Sequence, residues 1–513
     1  MNHLVVLGDQ LTDQVGPLRA LLDGKAAFAE PILVVEVTGV RHEARHVQAV
    51  VLQLAALRGF AAELRDRGLH TEVVQAPTLG EALTAAQARC KPTGITVMDP
   101  SHPQDLAALQ AWSTANGVPV DVVENQLWLT SVAEWEAFKV GRKELRMEYW
   151  YRRVRSVRGW LMEERAGKSE PIGGTWNLDS ENRKRLAPGV NVPAPFYGTV
   201  TPLVQSVIDE VLEDRTSLFG ELDAFIWPTT RREALAALDA FCDERLANFG
   251  PFEDAMSKEH EHLFHSLLSP ALNLGLLTPV EVCERALQTY AARTNDIPLS
   301  SIEGFIRQIL GWREFMRHAY REYWREWQTD NGLDAHEDLP ALYWSGETKM
   351  ACMSRIVNTV LRTGHVHHIE RLMVLGNFAL LFGVQPQQVD AWFLEAFVDA
   401  LPWVVTPNVV AMSQFADLGR ITSKPYICGG AYISRMGDDC ASCFYTPTES
   451  VGKTACPFTT LYWEFIDRHS ERFAKNPRMA TQVRSWLGRP ESTRTDILVR
   501  AADVRSRAKL GEL

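Results

Sequence analysis

HLVVLGDQL, residues 3–11, is an apolar run that breaks into an acid and an amide, and it sets the pattern for the first quarter of the chain. Runs rich in Val, Ile and Leu recur as PILVVEV (31–37), TEVVQA (71–76), GITVMD (94–99) and VPVDVVE (118–124), alternating with Ala/Leu/Arg-rich stretches such as 43–67. Short β-branched runs alternating with helical stretches predict a parallel sheet with crossover helices, an α/β domain over residues 1–130. Polar residues follow three of these strands directly: Asp9 and Gln10, Glu36, and Asp99. Ligands of open α/β sheets sit beyond the carboxyl ends of the strands, so these residues are pocket candidates, although such residues also cap helices. No GxGxxG follows the first strand, which excludes the usual dinucleotide fingerprint.

Beyond this domain the pattern loosens. Residues 141–168 hold nine Lys or Arg against four Glu, interleaved with Tyr149, Trp150, Tyr151 and Trp160, and read as a basic amphipathic helix. A Gly/Pro/Asn-rich stretch without period follows, so 131–205 is expected to be an interdomain linker with a basic helix. After 205 apolar residues recur at three- and four-residue spacing, predicting an all-helical domain over 206–513. Within it, FIRQILGWREFMRHAYREYWREWQ (305–328) reads as one helix with a core stripe of Trp312, Phe315, Met316, Tyr320, Trp324 and Trp327. A net charge of −11 argues against indiscriminate binding to polyanions. No basic leader precedes the first strand, and the longest apolar run, Leu372 to Val384, is too short to cross a bilayer. The expectation is a cytoplasmic protein without a membrane anchor, in which clustered cysteines mean metal or redox chemistry before disulfides.

DDCASCFYTPTESVGKTACPF (438–458) carries that cluster. Cys440, Cys443 and Cys456 supply three soft ligands; a fourth is sought in Cys352, with Cys428 as its rival. A single CxxC with a Cys-Pro ending favours a four-iron four-sulfide cluster over zinc. In GHVHHIERLMVLGNFALL (364–381), His365, His367 and His368 point to proton transfer or metal binding. His260, His262 and His265 in KEHEHLFH are read as structural.

Several separated stretches resemble one superfamily. HSLLSP (265–270) followed by GLL, the Trp-Arg-Glu-Phe core at 312–315, and YWSGETKMACMSRIVNTVLRTGHVHHIERLMV are similar to the flavin-binding segments of photolyases and cryptochromes. RKELRMEYWYRRVR, PIGGTWNLDSENR, MSQFAD and YISRM ahead of the CxxC resemble the bacterial (6-4) photolyases that carry an iron–sulfur cluster. The match runs from Gly8 almost to the end of the chain.

The resemblance implies flavin adenine dinucleotide (FAD), a 6,7-dimethyl-8-ribityllumazine antenna, and a [4Fe-4S] cluster on Cys352, Cys440, Cys443 and Cys456. It places Ser266, Leu267, Leu268 and Ser269 at the flavin phosphates, Gln308, Trp312 and Arg313 beside them, and Asp399, Asn408 and Arg371 at the ring or adenine side. Trp392 and Trp344 fall where outer electron carriers are expected; Phe393 and Val405 depart from the pattern, which expects tyrosine and a polar residue. Asp9, Gln10, Leu11, Glu36 and Asp99 would line the antenna pocket. Arg152, Arg153, Arg155 and Arg158 would meet phosphates, and Asp179 and Asp254 would hold a magnesium ion. The implied partner is UV-damaged DNA with its lesion flipped into the protein, here a monomer. The implied reaction is light-driven reversal of pyrimidine (6-4) photoproducts, with His367 as principal proton donor and His368 as its partner, roles open to exchange. Rival readings are a blue-light photoreceptor, a cyclobutane dimer photolyase and a zinc-braced binding protein.

Overall fold

The computed structural model describes residues 1–41, 43–165, 167–223 and 225–513. Five strands, β1 (His3–Val6), β2 (Ala29–Val37), β3 (Thr71–Ala76), β4 (Ile95–Met98) and β5 (Val120–Val123), lie at the five apolar runs of the sequence. They form one parallel sheet in the order β3-β2-β1-β4-β5. The chain steps outward from β1 to β3, then returns to the other side of β1, so the strand order reverses between β1 and β4. Alternation along the strands explains the continuous apolar runs. Leu4, Val6, Ile32 and Val34 face helices of both parts of the chain, while Val5, Leu7, Leu33 and Val35 pack with Leu83, Leu109 and Trp112 on the opposite face.

The crossover helix Val47–Asp66 is long and apolar enough to cross a membrane by length and composition, although its apolar residues do not form one unbroken run. It is a core helix instead. Val47, Val50, Val51 and Leu54 are buried against Val204, Val207 and Val211 of the helix Pro202–Glu213, whose first turn is capped by Thr201. The expected linker contains a two-stranded antiparallel hairpin, Met162–Arg165 with Lys168–Pro171.

The single helix expected over 305–328 is two, Leu299–Ile306 and Glu314–Trp327, joined by a π-helical turn, Arg307–Arg313. Such a turn adds a residue to the helical cycle without breaking the apolar pattern, so spacing alone does not reveal it. Gly311 lies in that turn because a Cβ there would stand 2.9 Å from Met147 Sδ of the basic helix Met147–Arg158. Phe315, Met316, Tyr320 and Trp327 are buried in the core, as the stripe requires, with Trp312 and Trp324 partly buried against it.

Leu57 sits at 2% exposure in the crossover helix. Leu57→Ala is expected to lower the unfolding free energy by about 2–5 kcal/mol, read from the urea midpoint; a loss well under 1 kcal/mol would contradict this packing.

Candidate functional site

His367 and His368 precede a second π-helical turn, Glu370–Gly376. His367 is 3% exposed, and its ring stacks on His265 with centroids 4.5 Å apart and planes 11° apart. His368, with 45% of its side chain exposed, sets its edge against His265 at 5.5 Å. Among the described residues, these three imidazoles are the group whose ligand atoms gather within 4.8 Å. Stacked rings aim their lone pairs side by side, not at one point, so the arrangement suits proton exchange better than chelation. His265, expected to be structural, is brought here by the fold alone, and no spacing in the sequence signals it.

Two carboxylates flank this trio. His367 Nε2 stands 3.4 Å from Glu370 Oε2, and His368 Nε2 stands 3.7 Å from Asp254 Oδ1. Burial, then the adjoining His265 and His368, push the His367 imidazole well below its ordinary range. Burial acts the same way on His368, but the Asp254 and Glu253 carboxylates outweigh it and raise its pKa. His368 is therefore the more exposed and the more readily protonated of the pair.

The Ser266–Ser269 turn is a tight one. Leu267 adopts the left-handed conformation at φ 57°, and the helix Ser269–Leu274 starts from it. Ser269 Oγ donates to Asp399 Oδ2 at 2.6 Å, and Asn273 Nδ2 donates to the Asp399 carbonyl at 2.8 Å. Arg371 pairs with the same carboxylate at 2.9 and 3.2 Å. Burial alone would raise the Asp399 carboxyl; Arg371, with His365 and Ser269, holds it at about 2. Leu268 is buried beside the turn.

The remaining flavin candidates fall on π-helical turns, where an extra residue re-aims side chains. Gln308, Trp312 and Arg313 lie on Arg307–Arg313, Arg371 on Glu370–Gly376, and Asn408 on Pro407–Ser413. The structure does not gather them all. Gln308 donates to Glu253 at 2.6 Å, near the histidines. Arg313 lies over Trp128 at 3.9 Å and Trp403 at 5.3 Å, and Asn408 donates to the Val404 carbonyl at 2.7 Å. A serine turn tied to an Arg–Asp pair, with π-turns alongside, fits a dinucleotide whose central phosphates join two polar ring systems.

An aromatic column leads outward from this pair. Arg371 lies 4.0 Å over Phe397; Phe397 meets Trp392 at 5.8 Å, and Trp392 meets Trp344 at 6.5 Å. Trp392 is buried and Trp344 is 42% exposed, so the column reaches solvent. Phe393 packs on Trp392 at 5.2 Å, but the two tryptophans touch directly, and Tyr343 adds a second contact to Trp392 at 5.1 Å. Val405 is buried, without a polar group.

Cys352, Cys440, Cys443 and Cys456 line one cavity with Met350, Ile433, Tyr445 and Phe458. Cys428 does not line this cavity: its thiol and carbonyl take hydrogen bonds from Asn377 Nδ2. Burial, then the other three sulfurs and Asp439, push the Cys352 thiol well up, so thiolates here need a cation to hold them. Four thiols gathered in one cavity are a donor set suited to zinc or to an iron–sulfur cluster. Tyr445 N donates to Cys443 Sγ at 3.4 Å, and the Phe458 and Thr459 amides point at Cys456, donors of the kind that tune such clusters. Gly430 permits the close packing, since a Cβ there would meet Cys456 Sγ at 2.8 Å.

The strand-end residues divide. Gln10 Nε2 donates to the Met98 and Asp99 carbonyls, and Leu11 N to the Leu274 carbonyl, at the switch point between β1 and β4. Gln10 Oε1 is buried without a partner. Asp99 pairs with Arg321 at 2.9 Å, and burial pushes the Asp9 carboxyl up to about 6. Glu36 is turned to other partners: Arg58 clasps it at 2.8 and 2.9 Å, and Gln75 donates to it at 3.1 Å.

Arg155 does not belong with the phosphate contacts. It is fully buried and donates to the Trp160, Leu161 and Trp176 carbonyls, because the inward face of its helix needs a donor for those chain ends. Arg152, Arg153 and Arg158 are exposed, Arg152 in an ion pair with Glu148 and Arg158 donating to the Leu129 carbonyl. A second basic rim, which the sequence did not suggest, lies nearer the histidines. Lys424 sits between Arg478 and Arg183, and after burial their charges push its ammonium down. Arg183 also bridges Asp179 and Asp254, so the cation between these carboxylates is a guanidinium.

A parallel sheet, a helical half with a serine turn and an aromatic column, and a four-cysteine cavity together define a protein of the photolyase and cryptochrome type. A family model described as deoxyribodipyrimidine photo-lyase-related protein matches residues 4–227. A (6-4) photolyase of Agrobacterium fabrum is 38% identical over 510 residues, covering 98% of this chain and 99% of that protein. A class III photolyase from Agrobacterium tumefaciens superposes with a TM-score of 0.56 at 17% identity, covering 99% of this chain and 97% of that one. An archaeal photolyase from Sulfolobus tokodaii, solved with two FAD molecules, gives 0.56 at 15% identity, covering 95% and 99%. The structural likenesses establish the fold. The whole-length relative establishes more: this chain belongs to the bacterial (6-4) photolyases, the iron–sulfur branch of the superfamily.

Cys352→Ser is expected to abolish iron binding, whereas Cys428→Ser keeps the wild-type iron-to-protein ratio. Metal analysis and the visible spectrum of the purified proteins check this; iron retained without Cys352, or lost without Cys428, contradicts the assignment.

Proposed function

We propose that this chain reverses pyrimidine (6-4) photoproducts in UV-damaged DNA, driven by light. The observation that carries this reading is the half-exposed His368 beside the buried His367, in a chain 38% identical from end to end to a (6-4) photolyase. Bound FAD, reduced and excited by light, supplies the electron that the reaction takes and returns.

The chain's own residues do the rest. A damaged base costs less to turn out of the duplex than an intact one, and the exposed imidazole gives it a hydrogen-bonding partner. His368 donates a proton to the lesion and recovers it as the bases separate, so the reaction consumes no acid, and the electron's return leaves it redox-neutral. Asp254 keeps His368 charged, and His367 and His265 wall off its inner side. The Ser266–Ser269 turn, Arg371 and Asp399 hold the flavin; Trp392 and Trp344 relay electrons to it from the surface. The thiols of Cys352, Cys440, Cys443 and Cys456 hold a [4Fe-4S] cluster that braces the helical half.

A lumazine antenna would meet Asp9, Gln10, Leu11 and Asp99, where the unpaired Gln10 Oε1 offers it an acceptor. Phosphates would meet Arg152, Arg153 and Arg158 together with the Arg183, Lys424 and Arg478 rim. Magnesium between Asp179 and Asp254 would have to displace Arg183. The division into a sheet unit (1–130), a linker (131–205) and a flavin- and cluster-binding unit (206–513) belongs to the same proposal, as do the monomeric state and the cytoplasmic location.

Irradiating the purified protein with an oligonucleotide carrying a (6-4) photoproduct tests the proposal. Wild type is expected to restore the bases only in light, with His368→Asn keeping its flavin and losing about 100-fold in repair. Because His368 is raised, its proton persists above the ordinary value of 6.5, and repair is expected to fall as pH rises through the shifted pKa. A lesion that persists under light with reduced flavin overturns the proposal and favours a photoreceptor.

A further inference from the structure

The cysteine loop and the lesion-facing histidines are joined by a line of buried charges. Arg355 lies one turn beyond Cys352 on the helix Ala351–Thr363. Its Nε and Nη2 donate to Asp439 Oδ1 and Oδ2 at 2.7 and 2.9 Å, and Asp439 directly precedes Cys440. The same Nη2 lies 2.8 Å from Glu370 Oε1. Glu370 Oε2 makes no hydrogen bond within the protein and stands 3.4 Å from His367 Nε2, a nitrogen that also lacks one. Asp439, Glu370 and His367 are all at least 95% buried.

Burying charges of this kind is costly, and replacing such a group by apolar residues is commonly neutral or stabilising. A pure brace would therefore be expected to satisfy each carboxylate in full. Arg355 instead gives its two-pronged grip to Asp439 and a single contact to Glu370, which leaves the second Glu370 oxygen turned to the imidazole. A carboxylate so turned fixes a ring's orientation and tautomer, as second partners of histidines do at metal and catalytic sites. The other groups facing His367 are His265, His368, Arg355 and His365, and those facing Glu370 are Arg355 and Asp439.

We propose that Arg355 is a positioning residue that, through Glu370, ties the cysteine loop to His367, so that a correctly assembled loop orients the imidazole pair used in repair. The inference rests on the function proposed above. It gives the cluster a task beyond bracing: a loop that folds around its metal sets Asp439, Asp439 sets Arg355, and Arg355 sets the carboxylate against the ring.

Arg355→Gln, Arg355→Lys and Asp439→Asn would be compared with wild type for iron and flavin content, affinity for (6-4) DNA, repair yield across pH, and histidine ring-nitrogen NMR resonances in the dark. Arg355→Gln is expected to keep iron, flavin and DNA affinity within twofold, to lose about tenfold in repair with an altered pH profile, and to shift the His367 resonance but not that of His469. Arg355→Lys is expected to recover part of the yield. An unmoved His367 signal with full repair, in any iron-loaded variant, overturns the proposal. Loss of iron from all three variants also overturns it, since the ion pair would then be a fold brace. If wild type itself repairs nothing, the functional reading fails instead, and the resonance shift still decides this link.

Discussion

Arg371 is held between the Asp399 carboxylate and the face of Phe397, and three parts of the site converge on that guanidinium. Through Asp399 it fixes the serine turn, since Ser269 and Asn273 both bond to that residue. Through its own backbone position it fixes the π-turn that follows the histidines. Through Phe397 it begins the aromatic column to Trp392 and Trp344. A buried pair of this kind is weak evidence for stability, because desolvation cancels much of its attraction. Its value here is geometric. Losing either partner would strand a charge at the meeting point of the serine turn, the π-turn after the histidines and the aromatic column.

Much of the fold could be read from the chain because it rests on local periodicity. Both faces of the sheet are covered, so its strands appear as plain apolar runs, and the core stripe of the Trp-rich helix keeps its spacing. The four cysteines were legible because soft ligands are scarce, the spacing of three of them is local and the fourth, Cys352, was the favoured candidate over Cys428. The fold puts Cys352 in one cavity with the other three and Asn377 against Cys428.

The rest was hidden for identifiable reasons. π-Turns leave the apolar pattern intact while re-aiming Gln308, Arg371 and Asn408. His265 reaches the active histidines only through tertiary packing. Arg155 looked like its exposed neighbours by composition, yet its position on the helix turned it inward to three carbonyls. The carboxylate beside His367, Glu370, is local, but the one beside His368, Asp254, comes from a distant segment that only the fold brings there. A net charge of −11 likewise concealed a basic rim that the fold assembles from Arg183, Lys424 and Arg478.

The most direct measurement is diffraction from crystals of the purified, coloured protein in complex with a duplex containing one (6-4) photoproduct. The expected result is a lesion turned out of the helix with a polar atom at hydrogen-bond distance from His368, flavin density against Ser269 and Arg371, and an iron–sulfur cluster on the four cysteines. A lesion left stacked in the duplex, or flavin bound away from the Arg371–Asp399 pair, would contradict it.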